Sequence, residues 1–284
     1  MEQKFSVLMS LYIKEKPEYF CECMDSILNQ TVKPDEIVIV KDGPLTDRLE
    51  AALLEYISRS PELYTVVPLE KNVGLGGALR EGMLHTKNEL VARMDTDDIA
   101  RSDRFERQLR EFRMDEELDI CGGQVDEFEG NAENIVAVRR VPISNSDIKK
   151  YQKRRDAFNH MTVMFKKSAV LRAGNYQPCP LMEDTILWVN MILSGAKCKN
   201  IDESLVYARV DGGMFGRRGG FEYFKKYREG RRRVRETGYI GFFDYYSTLA
   251  VQLAVALMPN RLRQWAFKRF LHGRPADRKG EARK

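Results

Sequence analysis

Histidine is scarce in this 284-residue chain: His85, His160 and His272 are its three copies, too few for a metal centre built from several imidazoles. The five cysteines, Cys21, Cys23, Cys121, Cys179 and Cys198, are odd in number and form no Cys-x-x-Cys pair. That excludes a recognisable zinc site or disulfide framework and leaves buried or indifferent thiols in a reducing cytosol as the expectation. Long apolar runs are missing too. The best candidate, Phe242 to Met258, falls short of the ~20 residues that span a bilayer and is interrupted by Asp244 and Gln252. No leader pattern is visible, since Glu2 and Lys4 are followed directly by a strand-length apolar run from Phe5. No Gly-Lys-Ser/Thr follows the glycines at 74–77, and the GxGxxG dinucleotide fingerprint is absent, so neither common phosphate-loop motif is present.

What is present is a globular composition, 43% hydrophobic and 31% charged, with an uneven charge. Residues 217–284 carry 18 basic and 6 acidic side chains, a net of +12, whereas residues 1–216 carry 29 and 36, a net of −7. An acidic body with a basic tail points to an anionic partner for the tail.

The first hundred residues alternate between two periodicities. Apolar, β-branched runs at Phe5–Leu11, Glu36–Val40, Tyr64–Leu69 and Leu90–Met94 read as buried strands. Between them, Pro17–Asn29, Thr46–Ser58 and Gly74–Leu84 carry apolar residues at helical spacing. Strands alternating with helices predict parallel βαβ units, and ligands in such sheets sit beyond the carboxyl ends of the strands. Asp42 and Asp95 both fall at those ends. Further on, Arg101–Met114 and Glu183–Leu193 read as helices; Ile120–Val125, Ile135–Val138, Thr162–Phe165 and Leu205–Val210 read as strands.

Two acidic groups stand out. Asp95, Asp97 and Asp98 lie within four residues at a strand end, where hard oxygen ligands can hold a divalent cation facing a diphosphate; in isolation such a group is also an ordinary surface turn. Glu183-Asp184 opens a helix, where acids serve equally as a proton acceptor or as a first-turn complement to the helix dipole. The loop Asn72-Val73-Gly74-Leu75-Gly76-Gly77 reads either as a phosphate cradle or as a helix start that needs close backbone approach. His160, alone before a strand, is by residue type more often a packed side chain than a catalyst.

Taken together and in this order, Ser6–Tyr12, Glu36–Gly43, Asn72–Leu75, Asp95–Asp98 and Glu183-Asp184 resemble glycosyltransferase family 2, across about residues 5–215. The resemblance implies an α/β, GT-A (Rossmann-like, mainly parallel sheet) catalytic domain over 1–215, with a nucleotide-sugar half at 1–98 and an acceptor half at 99–215. A basic helical C-terminal extension over 216–284 would follow. It implies an inverting transfer of a sugar, with Mn2+ or Mg2+, from a UDP-sugar donor to a hydroxyl of a lipid-linked or polysaccharide acceptor. In that pattern Ser10 and Tyr12 border the base, and Asp42 bonds the uracil or ribose. Asn72 belongs to the donor loop and Asp95 touches the ribose or donor sugar. Asp97 is the main metal ligand, with Asp98 supporting metal or sugar. Asp184 is the catalytic base, and Glu183 positions it or the acceptor. His160 lies near the acceptor or diphosphate, Arg217 in a loop near the diphosphate. Asp211 stands as an oxygen ligand where the family often has a histidine. The chain departs from the family pattern at Ile13, at Lys41-Asp42 and at Leu79, which displaces Arg80 by one position.

The tail mixes Lys225, Lys226, Arg228, Arg231, Arg232, Arg233 and Arg235 with aromatic residues. The expectation favours an interfacial segment over 217–271 on an anionic membrane surface, placing the protein peripherally on the cytoplasmic face; a hairpin packed on the catalytic domain is the alternative. No nucleic-acid recognition module is recognisable. Two other classes stay open at this stage, a nucleotidyltransferase and a non-catalytic carbohydrate or membrane adaptor. The first is opposed by the lack of a glycine-rich basic loop at Tyr12–Glu15, the second by intact Asp97 and Asp184.

Overall fold

Seven consecutive side chains of β1 (Phe5–Leu11) alternate between two cores, which is why the run is apolar almost throughout. Phe5, Val7, Met9 and Leu11 face one helical layer and Leu8 the other. The computed structural model describes residues 3–179, 181–210 and 220–259. β1 pairs in parallel with β2 (Glu36–Lys41) on one side and with β4 (Leu90–Arg93) on the other, and β2 pairs in parallel with β3 (Tyr64–Pro68). The order β3-β2-β1-β4 reverses direction at β1, so a crevice opens beyond the carboxyl ends of β1 and β4.

Helices α1 (Pro17–Leu28), α2 (Asp47–Arg59) and α4 (Arg104–Met114) cover the first face, with Phe20, Met24, Leu53, Phe105 and Leu109 buried there. The opposite face is covered by α3 (Leu75–His85), α6 (Lys167–Arg172) and α7 (Glu183–Leu193), with Leu79, Met83, Val170, Leu187 and Trp188 buried. The short α5 (Asn145–Tyr151) is capped by Ser144, whose side chain accepts from the Asp147 amide.

The second half of the sheet departs from the expected parallel pattern. β8 (Met164–Lys166) runs antiparallel to both β4 and β6 (Leu118–Phe128), and the short β5 (Ile99–Ala100) runs antiparallel to β9 (Lys197–Arg209). β6 and β9 pair in parallel, and β7 (Ile135–Arg139) pairs antiparallel to β6. β6 and β9 are both longer than their apolar runs indicate. Buried Gln124, Asp126 and Glu127 extend β6, and their polar atoms find partners: Gln124 bonds Val141 and Ile201, Asp126 accepts from Ser204, and Glu127 pairs with Arg139. Thr162, expected to begin a strand, instead ends a short 3-10 turn over His160–Thr162.

The tail takes the form of the alternative expectation, a packed hairpin. Helices α8 (Phe221–Glu236) and α9 (Phe242–Leu257) form a hairpin packed on the catalytic domain. Val234, Ile240 and Tyr245 share a third core with Met182, Ile186 and Val189 at and just before α7. Arg231, expected to face an anionic surface with its neighbours, is 1% exposed; its Nε donates to Thr248 and its Nη2 to the Lys153 carbonyl. Residues 260–271 of the expected interfacial segment lie outside the described residues.

Candidate active site

The acidic turn leaves β4 at the crevice, and a buried guanidinium sits at its root. Arg93, 1% exposed, forms an ion pair with Asp95. Burial works against its charge, and the neighbouring Asp95 carboxylate outweighs that, raising the Arg93 pKa above the ordinary arginine value. Its Nε and Nη1 find no hydrogen-bond partner among the described residues.

Asp95, Asp97 and Asp98 each offer a carboxylate oxygen within 4.8 Å of the others. Asp98 is buried and accepts from the Arg209 amide at 2.8 Å. Burial, then Asp95 and Asp97, push its pKa well above the usual carboxylate range. Burial, Asp95 and Glu15 push Asp97 up to about 7. Three hard oxygens in mutual repulsion match the donor set of a magnesium- or manganese-type ion, and an ion bound among them removes that repulsion.

Four neighbours that sequence reasoning did not single out build this turn. Glu15, just past β1, accepts from Thr96 Oγ1 at 2.6 Å. Cys23 Sγ donates to the Asp95 carbonyl, and burial beside the acids pushes its pKa far up, keeping it a thiol. Arg209, at the end of β9, bonds the Asp97 carbonyl at 3.1 Å and stacks over Tyr19 and Phe128. Arg104 on α4 donates to the Arg93 carbonyl at 2.7 Å.

Ser10 and Tyr12 occupy the end of β1 beside the end of β2, with Tyr12 exposed. Asp42, expected to reach base or ribose, directs its carboxylate into the glycine loop. It accepts from the Val73 amide at 2.7 Å, from Asn72 Nδ2 at 2.8 Å and from the Gly74 amide at 3.1 Å. Asn72 therefore clamps Asp42. Gly43, at φ +86°, lies so near this loop that a Cβ would come within 2.8 Å of the Asn72 nitrogen. Arg80 donates to the Tyr176 carbonyl, tying α3 to the segment before α7.

Across the crevice, α7 presents Glu183 and Asp184 in its first turn. A Cβ on Gly76 would come within 2.8 Å of Glu183 Cβ, so the glycine loop gives the close approach of α3 to α7. Burial, then Asp156 and Glu183, raise the Asp184 pKa well above the usual carboxylate range. Asp156 is linked to this turn through Thr185, whose hydroxyl donates to it at 2.6 Å. His160 Nε2 lies 2.9 Å from Tyr176 Oη, and its Nδ1 is 4.0 Å from Asp184. Burial and Arg93 hold the His160 pKa well below its usual value, so the ring is neutral. Asp211 and Arg217 lie outside the described residues.

Similarity to known proteins agrees with this arrangement. The family model described as Glycosyl transferase family 2 matches residues 6–174. An uncharacterized glycosyltransferase of Haemophilus influenzae is 43% identical over 94% of this chain and 99% of its own length. The amylovoran biosynthesis glycosyltransferase AmsE of Erwinia amylovora is 37% identical over 97% of this chain and all of its own. An Escherichia coli UDP-Gal:alpha-D-GlcNAc-diphosphoundecaprenol beta-1,3-galactosyltransferase is 35% identical over 94% and 96%. The chain belongs to glycosyltransferase family 2, and it is a glycosyltransferase. The fold is that of solved GT-A enzymes. The mannosyltransferase PcManGT from Pyrobaculum calidifontis, in complex with GDP-Man and Mn2+, superposes with a TM-score of 0.62 at 15% identity, over 93% of this chain and 72% of that one. S. aureus TarS 1-349 in complex with UDP-GlcNAc superposes at 0.59 and 18%, over 92% and 69%, and the chain spans 41% of the longer TarS structure.

The repulsion at the acidic turn has a measurable consequence. Asp97→Asn removes an acid whose pKa burial, Asp95 and Glu15 push up to about 7, so the metal-free variant is expected to be more stable than the parent, by on the order of 1 kcal/mol at neutral pH. Mn2+ is expected to raise the melting temperature of the parent and to leave that of this variant unchanged. Thermal unfolding with and without Mn2+ measures both; a less stable metal-free variant would contradict the repulsion. The second consequence concerns pH. Asp156 raises the Asp184 pKa, so Asp156→Asn should lower it and move the acid limb of the kcat profile to lower pH, as a pH–rate series would record.

Proposed function

We propose that this glycosyltransferase moves a sugar from a UDP-linked donor to a hydroxyl of a lipid-linked saccharide diphosphate, with inversion at the anomeric carbon and with Mn2+ or Mg2+ bound at the acidic turn. The observation that carries the reading is that two acidic groups, Asp95/Asp97/Asp98 and Glu183/Asp184, share the field of buried Arg93 at the switch point of the sheet. The UDP and the lipid diphosphate are the donor and acceptor groups named for the 35%-identical E. coli relative.

In this reading Asp97 is the principal metal ligand. Asp98, oriented by the Arg209 amide, supports it, and Asp95, held by Arg93, faces the ribose or donor sugar. The bound ion supplies neutralisation of the charge that develops on the departing nucleoside diphosphate. Ser10 and Tyr12 border the base, and Asp42 acts by fixing the shape of the Asn72–Gly74 loop. Asp184 accepts the proton of the attacking hydroxyl, and its raised pKa makes it a stronger acceptor than an ordinary carboxylate. Neutral His160 orients Tyr176 beside it, and Glu183 holds α7 against α3.

The hairpin supports a peripheral position on the cytoplasmic membrane face. No described helix is long and apolar enough to cross a membrane. It exposes Phe221 beside Lys225 and Phe242 beside Arg235, with Phe243, Leu257, Lys226 and Arg228 also exposed, a mixture suited to an anionic interface.

Asp184→Asn is expected to abolish transfer while leaving UDP-sugar affinity within about twofold; parallel transfer assays and calorimetric titrations in Mn2+ decide this. If no UDP-sugar binds or is hydrolysed in the presence of either metal, the donor assignment fails. The paired change Phe243→Glu and Leu257→Glu should strip the protein from anionic liposomes in a flotation assay, and undiminished flotation would sink the surface role.

A further inference from the structure

A cavity of about 460 Å³ lies between the catalytic domain and the C-terminal hairpin, one wall from residues 154–156, 182 and 185, the other from α8 and α9. It is not the donor crevice, since none of Asp95, Asp97 or Asp98 lines it. Three guanidinium groups, Arg154, Arg155 and Arg231, reach it. Arg231 is 1% exposed, and among the described residues it pairs with no carboxylate; its Nε and Nη2 bond a hydroxyl and a carbonyl. The Asp156 and Asp244 carboxylates act on Arg231 through the field alone, so its direct hydrogen-bond partners are neutral and a bound anion would add a charged one. Arg154 is paired with Asp244 at 2.8 Å, while Arg155 forms no ion pair among the described residues.

The two walls of the cavity differ in chemistry. On the catalytic-domain wall Asp156 and Thr185 adjoin Asp184, with the Thr185 hydroxyl bonded to Asp156 at 2.6 Å. At the opposite wall Val251 and Val255 of α9 line it, and Val251 is 63% exposed, so the apolar end opens to solvent. The lining thus brings together an acid next to Asp184, three arginines and aliphatic side chains of α9.

We infer that this cavity is the acceptor subsite, which holds the diphosphate of a long-chain alkyl ester on Arg155 and Arg231, with the sugar directed to Asp184 and the alkyl chain leaving along Val251 and Val255. The inference rests on the acceptor class given under Proposed function and adds its location and residues. A nucleoside diphosphate offers the same anionic chemistry, so the test separates the two sources.

Decyl diphosphate, kept below its micelle-forming concentration, is titrated calorimetrically into the full chain, alongside inorganic pyrophosphate and UDP with Mn2+. Arg155→Glu reverses an exposed charge without breaking a described contact, and Arg231→Met keeps the buried stem while removing the charge; circular dichroism confirms that both fold. Decyl diphosphate is expected to bind more tightly than pyrophosphate, to weaken at least tenfold in Arg155→Glu, and to bind together with UDP and Mn2+, whose affinity stays within twofold. Unchanged decyl diphosphate affinity in Arg155→Glu, or its full displacement by UDP, overturns the subsite. Loss of UDP binding with Arg155-dependent decyl diphosphate binding intact would instead strike the donor reading and leave the subsite standing.

Discussion

The site depends on one buried charge. Arg93 stands at the end of the central strand β4 with almost no exposure, and its ion pair with Asp95 fixes the first residue of the acidic turn. Taking an arginine out of water is tolerable only where acids surround it, and here two acidic segments do so. Asp95, Asp97 and Asp98 belong to the turn after β4; Glu183, Asp184 and Tyr176, in and before α7, also feel its field. The same field, added to burial, keeps His160 neutral. One guanidinium thus balances a density of carboxylates that would otherwise push the crevice apart.

The scaffold makes that arrangement affordable by anchoring each acidic segment from a different direction. The turn after β4 is held by Glu15 from beyond β1, by Cys23 from α1 and by Arg209 from β9. The glycine loop is held by Asp42 from beyond β2. Side chains held from several rigid elements lose little freedom when substrate arrives, which is the condition for electrostatic preorganisation.

The first half of the fold was legible in the sequence for a physical reason. Strands buried on both faces must be apolar throughout, so β1, β2 and β4 announce themselves, and the ends of the strands locate the acids. The second half was less legible. β6 and β9 carry polar residues whose burial is made possible by partners far along the chain, such as Ser204 for Asp126, and hydropathy does not register a distant partner. The same reason hid Arg93, Arg209 and Glu15, which look like ordinary charged residues until the fold brings their acids or hydroxyls to them. Asp42 shows the converse: its position relative to β2 was readable, whereas its use as a clamp for residues 72–74 required the loop to be placed. The tail's basic composition suggested a surface segment; that Arg231 and Val234 turn inward onto the domain follows from helical phase against α7, which composition does not encode.

Gly76 touches Glu183 through the absence of a side chain, and that contact sets a dimension. The gap between the helix that begins at the glycine loop and the helix that begins with the acids is as narrow as two backbones and one methylene allow. Reacting groups in such a crevice tolerate displacements of about an ångström before rate suffers. Position 76 therefore behaves as a spacer with a single permitted thickness. Drift in substrate preference among descendants of this chain is confined to the rims, where side chains can lengthen without moving the two halves of the site apart.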